Sequence, residues 1–181
     1  SGPVVTEWAQ ADAATLESFE AWSRGETPAL VDTFDASLTP LSRGTATGPL
    51  LGGNLAVLTR LVGTPFAPDF EGAILVLEEV AEAPYRVDRM LAHLQLAGVL
   101  DTVSGVLLGE FTTGDLDPET PTLSLDAVFD DYFGDRSYPV VTGLPYGHRL
   151  PRCTLPIGVP TQLQASDGDA SVTVQSPVVS G

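Results

Sequence analysis

Between residues 73 and 142 the chain repeats one pattern: a short continuous apolar run, a helical period, then another apolar run. Ala73-Ile-Leu-Val-Leu77 is an unbroken apolar run of strand length, which suits a strand covered on both faces. Tyr85–Ala97 follows Pro84 with helical periodicity and is closed by Gly98. Val103–Gly109 reads as a second buried strand, Leu123–Phe133 as a helix and Pro139–Thr142 as a short third strand. Strands and helices in that order imply right-handed crossovers and a parallel or mixed sheet. The C-terminal part differs. Thr161–Ser166 and Ala170–Ser176 alternate polar and apolar around Asp167-Gly168, the signature of an antiparallel hairpin. The predicted fold class is α/β with an antiparallel β tail.

The N-terminal third is less regular. Residues 12–24 read as a helix with Asp12 as N-cap, an apolar stripe of Leu16, Phe19 and Trp22, and Gly25 beyond its end. Residues 26–53 are rich in turn formers; 26–40 read as a connector with one short strand at Ala29–Phe34. Asn54–Val62 looks helical and is closed by Gly63 and Pro65. Trp8, Phe19 and Trp22 lie outside the alternating segment, so they are expected to form an exposed apolar patch that another domain would cover.

Charge removes several functions. A chain of 181 residues is of one-domain length, and it carries 24 acidic side chains against 8 basic ones, all arginine, for a net charge of -16. Such a surface repels phosphate backbones and anionic lipid, which argues against nucleic-acid and membrane partners. The lone Cys153 can form neither an intramolecular disulfide nor a cysteine-based zinc cluster. No stretch approaches the roughly 20 apolar residues of a membrane span, and the first residues lack the pattern of a signal peptide.

Few residues are left for chemistry. His93 falls inside a helix among Met90, Leu91, Leu94 and Leu96 and reads as a helix-surface or core-edge imidazole. His148 ends Gly143-Leu-Pro-Tyr-Gly-His148, a loop directly after the strand at Pro139–Thr142. Loops at the carboxyl ends of strands are where α/β proteins carry their chemistry. Glu78 and Glu79 end the apolar run at Leu77; alternation sends one toward the crevice at the sheet's end and turns the other away. Gly48–Asn54 is glycine-rich ahead of a helix but lacks the lysine and spacing of a phosphate loop. No Gly-x-Ser-x-Gly elbow is present. Cys153, five residues after His148, is more at home in a core strand than as a nucleophile, and Asp115-Leu-Asp-Pro-Glu119 reads as a solvated loop. No cofactor or metal is expected.

Several strings together resemble the C-terminal half of the LD-carboxypeptidases, a family that includes the microcin C immunity hydrolases. They are Gly52-Gly-Asn-Leu55, Leu61-Val-Gly-Thr-Pro65, Gly72-Ala-Ile-Leu-Val-Leu-Glu-Glu79, Pro84-Tyr-Arg-Val-Asp-Arg-Met-Leu91, Gly105-Val-Leu-Leu-Gly109, Pro139–His148 and Thr154-Leu-Pro-Ile-Gly158. The order and spacings agree from about Gly2 onward.

The resemblance implies a swivelling β/β/α-type domain in a serine peptidase with a Ser-His-Glu triad. By motif, Glu78 and His148 are the triad's acid and base, while Glu79 takes the neighbouring acidic place. It implies residues 1–40 as a helix and connector to an N-terminal nucleophile domain, and 41–181 as the C-terminal domain. Nothing in the 181 residues matches the family's serine motif. On this reading the chain by itself is inactive. The complete enzyme would cleave the amide before the terminal D-alanine of murein tetrapeptides, in cytoplasmic peptidoglycan recycling, with homodimers common in the family. Two other readings compete: a swivelling domain with His148 as phosphoryl carrier, and an interaction module in which Glu78 and His148 lie far apart.

Overall fold

The structure is a computed structural model, and it describes residues 5–26, 30, 31, 34, 36–114 and 123–175. A short 3-10 helix at Val5–Gln10 leads into helix α1, Ala13–Ser23. Strand β1 (Thr39–Ser42) and the long β2 (Gly44–Asn54) follow, then helix α2 (Leu55–Leu61). Next come β3 (Ile74–Glu79), α3 (Pro84–Leu96), the single turn α4 (Val99–Thr102) and β4 (Gly105–Phe111). Helix α5 (Leu125–Phe133), β5 (Val140–Thr142), β6 (Pro160–Ser166) and β7 (Asp169–Val174) complete the described chain.

One seven-stranded sheet runs in the order β1-β5-β4-β3-β2-β6-β7. Strands β2, β3, β4 and β5 are mutually parallel, whereas β1, β6 and β7 join antiparallel. The edges β1 and β7 come near each other, so the sheet is nearly closed. Side-chain alternation along the central strands splits the core in two. Leu75 and Leu77 of β3, with Val106 and Leu108 of β4, pack against Leu58, Leu91, Leu94, Val128 and Phe133 of the helices. Ile74, Val76 and Leu107 face the other way, toward Trp22, Leu30, Phe34, Tyr146, Cys153 and Leu163.

The helices start where local chemistry starts them. Asp12 Oδ1 accepts the Thr15 N–H at 2.9 Å, Asn54 Oδ1 accepts the Val57 N–H at 3.1 Å, and Ser124 Oγ accepts the Ala127 N–H at 3.1 Å. Gly98, just past α3, has φ +77°, the left-handed conformation that closes a helix.

Three expectations need correction. Leu30, Val31 and Phe34 lie in turns, so no strand runs through the described part of Ala29–Phe34. Leu30 and Phe34 are nevertheless buried, which is why the segment reads as strand-like. The glycine- and proline-rich segment before Asn54 forms β1 and β2. The first half of β2, to Pro49, pairs with β6, and its second half pairs with β3. Its glycines serve close packing: a Cβ on Gly48 would lie 2.0 Å from the Gly72 carbonyl oxygen. The stripe on α1 is also different. The helix buries Thr15, Ser18, Ala21 and Trp22, while Trp8 remains exposed in an edge-to-face contact with Phe19, ring centroids 5.0 Å apart. Trp22 is therefore no part of a surface patch.

Candidate active site

The placement of Glu78 and Glu79 follows from β3 and its two-sided core. Even-numbered residues of β3 face the Trp22 side and odd-numbered ones face the helices. Glu79 accordingly points to the N-terminus of α2. Its Oε1 accepts the Asn54 side-chain N–H at 2.9 Å and the Val80 N–H at 3.0 Å, and its Oε2 accepts the Ala56 N–H at 2.8 Å. A carboxylate at a helix start also meets the positive end of the backbone dipoles. Glu79 holds structure together.

Glu78 points the other way and meets His148. Their separation in sequence is 70 residues, and Nδ1 of His148 lies 2.9 Å from Oε2 of Glu78. The carboxylate side chain is 5% exposed and the imidazole 52% exposed. An ionised carboxylate can only accept, so with Glu78 ionised this contact requires the proton on Nδ1 and turns Nε2 away from the acid. Nε2 has no partner among the described residues, and the half-exposed ring leaves it accessible. A buried acid behind an accessible imidazole is the arrangement in which the acid sets the tautomer and the ring accepts a proton from an incoming hydroxyl.

The residues that hold this loop stand outside the motifs of the sequence. Strand β4 is irregular beside β3: Leu77 pairs with Leu108, but Glu79 pairs with Phe111. The extra residue aims Glu110 at the His148 loop. Its backbone N–H donates to the Tyr146 carbonyl at 2.7 Å, and its Oε2 accepts the Arg149 N–H at 3.2 Å. Its Oε1 pairs with Arg149 Nε at 3.0 Å. The signal was present in the sequence, since Glu110 ends the apolar run of β4 as Glu78 ends that of β3. From the opposite side, buried Arg152 donates Nη1 to the Gly147 carbonyl at 3.3 Å and lies 3.5 Å from that of His148. Helix α1 fixes the following segment: Thr15 Oγ1 accepts the Arg152 N–H at 3.0 Å, Ser18 Oγ accepts the Thr154 N–H at 2.9 Å, and Trp22 Nε1 donates to the Thr154 carbonyl at 3.0 Å. No local pattern announces these partners. Space is tight as well. A Cβ on Gly147 would lie 2.8 Å from Glu110 Cβ, and one on Gly109 would lie 2.4 Å from the Tyr146 carbonyl oxygen.

The other candidates stand apart. His93 is exposed on α3. Cys153 is 1% exposed in the core, and burial pushes its thiol up to about 12, so it presents no thiolate near neutral pH. The acidic run at 115–119 lies outside the described residues. Among the described residues no group of three or more His, Cys, Asp or Glu side chains could hold a metal ion, and no helix is long and apolar enough to cross a membrane. Among the described residues no helix begins after His148 to supply the amide donors a phosphoryl carrier needs. The close Glu78–His148 contact is also the opposite of what a plain interaction module predicts.

Comparison with known proteins decides the family. The family profile described as the LD-carboxypeptidase C-terminal domain matches residues 47–163. This chain belongs to the LD-carboxypeptidase family. The probable murein peptide carboxypeptidase of Bacillus subtilis is 35% identical over 143 residues, covering 77% of this chain and 45% of that protein. The crystal structure of muramoyltetrapeptide carboxypeptidase from Oxalobacter formigenes superimposes with a TM-score of 0.73 at 31% identity, covering 92% of this chain and 56% of the other. The microcin C7 self-immunity protein MccF is similar too, with a TM-score of 0.64 at 29% identity, over 76% of this chain and 41% of the other. The MccF structure compared is an active-site mutant in which a serine, an asparagine and a lysine are replaced by alanine. The chain spans less than half the length of the curated relatives it matches.

Proposed function

We infer that this LD-carboxypeptidase domain supplies the base and the orienting acid of a Ser-His-Glu triad, His148 and Glu78. The observation that carries the reading is the 2.9 Å contact between a nearly buried carboxylate and a half-exposed imidazole at one end of the parallel strands. The nucleophilic serine would come from an N-terminal domain outside these 181 residues, joined through residues 1–40. An active-site serine in MccF supports a serine as the nucleophile. The substrate class, a murein tetrapeptide, follows the names of the relatives, and its terminal D-amino acid follows from the family resemblance. The setting would be cytoplasmic peptidoglycan recycling, with a homodimer as the working assembly.

In this mechanism Nε2 of His148 takes the proton from the serine hydroxyl as its oxygen attacks the amide carbonyl. The same nitrogen returns the proton to the departing amine, and a water activated in the same way releases the acyl group. Glu78 holds Nδ1–H throughout and stabilises the imidazolium between these steps. Without the serine and its oxyanion donors the pair has nothing to activate, so the 181-residue chain should release no D-alanine from a murein tetrapeptide. In the longer protein that carries the nucleophile domain, His148→Ala should lower turnover by about three orders of magnitude or more. Turnover by the 181-residue chain alone, or a fully active His148→Ala form of the longer protein, would overturn the proposal.

A further inference from the structure

We propose that the cleft between α2 and α3 binds a small anion carrying two or more charges. The cleft is an open groove of about 350 Å³, lined by Arg60 of α2, by Arg86, Arg89 and His93 of α3, and by Glu82. It therefore gathers three of the eight arginines and one of the two histidines of a chain whose net charge is -16. The gathering follows helical geometry. On α3 the residues 86, 89 and 93 recur at one-face spacing, and on α2 Arg60 stands one turn beyond Ala56, which also lines the cleft.

In so acidic a chain an arginine readily finds a carboxylate. Arg24, Arg43, Arg86, Arg136 and Arg149 each do. Arg60 and Arg89 form no ion pair among the described residues, although both are exposed and both face this cleft. Arg89 instead lies over the Tyr85 ring, 5.2 Å from its centroid, which restrains its position, and its N–H groups meet no carboxylate among the described residues. Arg86 reaches Glu82 at 3.3 Å, so the one acid of the cleft is already engaged. The result is a local excess of guanidinium groups in a concave site, where weakly hydrated planar donors match phosphate or carboxylate oxygens.

Size and long-range charge narrow the ligand. The volume is at the small end of ligand sites. The surrounding negative surface repels an extended polyanion, so a nucleic acid or an anionic membrane is a poor fit. A compact ligand with clustered phosphate or carboxylate groups sits within reach of the cations and leaves the repulsive surface behind. This inference does not rest on the triad assignment, and its readout is binding alone.

Titration calorimetry of the 181-residue chain with pyrophosphate and, separately, with citrate tests it and separates phosphate from carboxylate chemistry. At low salt, saturable one-to-one binding of at least one of the two is expected, weakening as sodium chloride is added. Arg60→Gln combined with Arg89→Gln should weaken it by about tenfold or more. Arg43→Gln, whose side chain pairs with Asp167 elsewhere on the surface, should leave it unchanged. All the substituted side chains are exposed, and equal thermal unfolding of the variants verifies that the fold is intact. No saturable binding of either anion at millimolar concentration, or equal affinity in the double variant, would overturn the proposal.

Discussion

Glu78 and Glu79 are adjacent acids in one buried strand, 3% and 4% exposed, yet the structure gives them opposite energetic roles. Glu79 accepts three hydrogen bonds, two of them from backbone N–H groups at Ala56 and Val80. Removing the carboxylate strands those donors. An unsatisfied buried donor costs about 1–3 kcal/mol, and partial exposure of Val80 and Ala56 lets water reduce that. Glu79→Ala should therefore destabilise the chain by about 2–4 kcal/mol, and Glu79→Gln, which keeps one acceptor, by about 1–2 kcal/mol. Against the typical 5–15 kcal/mol of a domain, both are readily measured. Glu78 is the reverse case. It is a buried charge whose one hydrogen-bond partner among the described residues is a half-exposed imidazole. Desolvation of such a carboxylate offsets what the pair gains, so Glu78→Gln should change stability by less than about 1 kcal/mol, in either direction. Urea unfolding of the three variants and the parent, followed by circular dichroism, makes the comparison. Unfolding of Glu79→Ala together with the parent, or a Glu78→Gln more damaging than Glu79→Gln, would refute these opposite roles.

Trp22→Phe should cost about 1 kcal/mol for the lost bond to the Thr154 carbonyl, and Trp22→Ala about 3–5 kcal/mol, both read from thermal unfolding. Gly52→Ala should abolish soluble folded protein, because φ is +127° and the new Cβ would lie 2.1 Å from the Val76 carbonyl oxygen; Gly63→Ala, with φ +83° and open space, should cost only about 1–2 kcal/mol. A soluble, normally folded Gly52→Ala protein would contradict the close approach of β2 and β3. Alkaline pH should destabilise the chain. Burial raises the Cys153 thiol from its ordinary 9.0 to about 12, and partial burial together with the hydrogen bond to the Asp88 carboxylate raises the Tyr132 hydroxyl from its ordinary 10.0 to about 12. The unfolded chain therefore loses these protons first, and the urea midpoint should fall as pH rises from about 9 to 12, at up to about 1.4 kcal/mol per pH unit for the buried Cys153 and by less for the partly exposed Tyr132. A midpoint that stays level in that range for the parent while Cys153→Ala also stays level would show that burial does not govern these groups.

The alternating apolar runs and helical periods were enough to locate β3, α3, β4, α5 and β5, because burial on two faces leaves a local record at every residue. The Asp167-Gly168 turn did the same for β6 and β7. Caps at Asp12, Asn54 and Ser124 are local hydrogen bonds, and Asp12 and the helix beginning at Asn54 could be read from the sequence. The position of His148 after one strand and of Glu78 at the end of another was likewise visible. Other features depend on residues far apart in the chain. Strand β2 looks like a loop because its glycines answer to the carbonyls of Gly72 and Val76, which only the folded sheet brings close. Helix α1 buries Thr15 and Ser18, against the apolar stripe, because polar backbone at residues 152 and 154 needs their hydroxyls. The meeting of Glu78 with His148 joins side chains 70 residues apart, and the bulge that aims Glu110 at the same loop is a matter of register. Local periodicity determined which segments become strands and helices. Tertiary packing decided which distant polar groups meet, since local periodicity around either residue records no hydrogen bond between them.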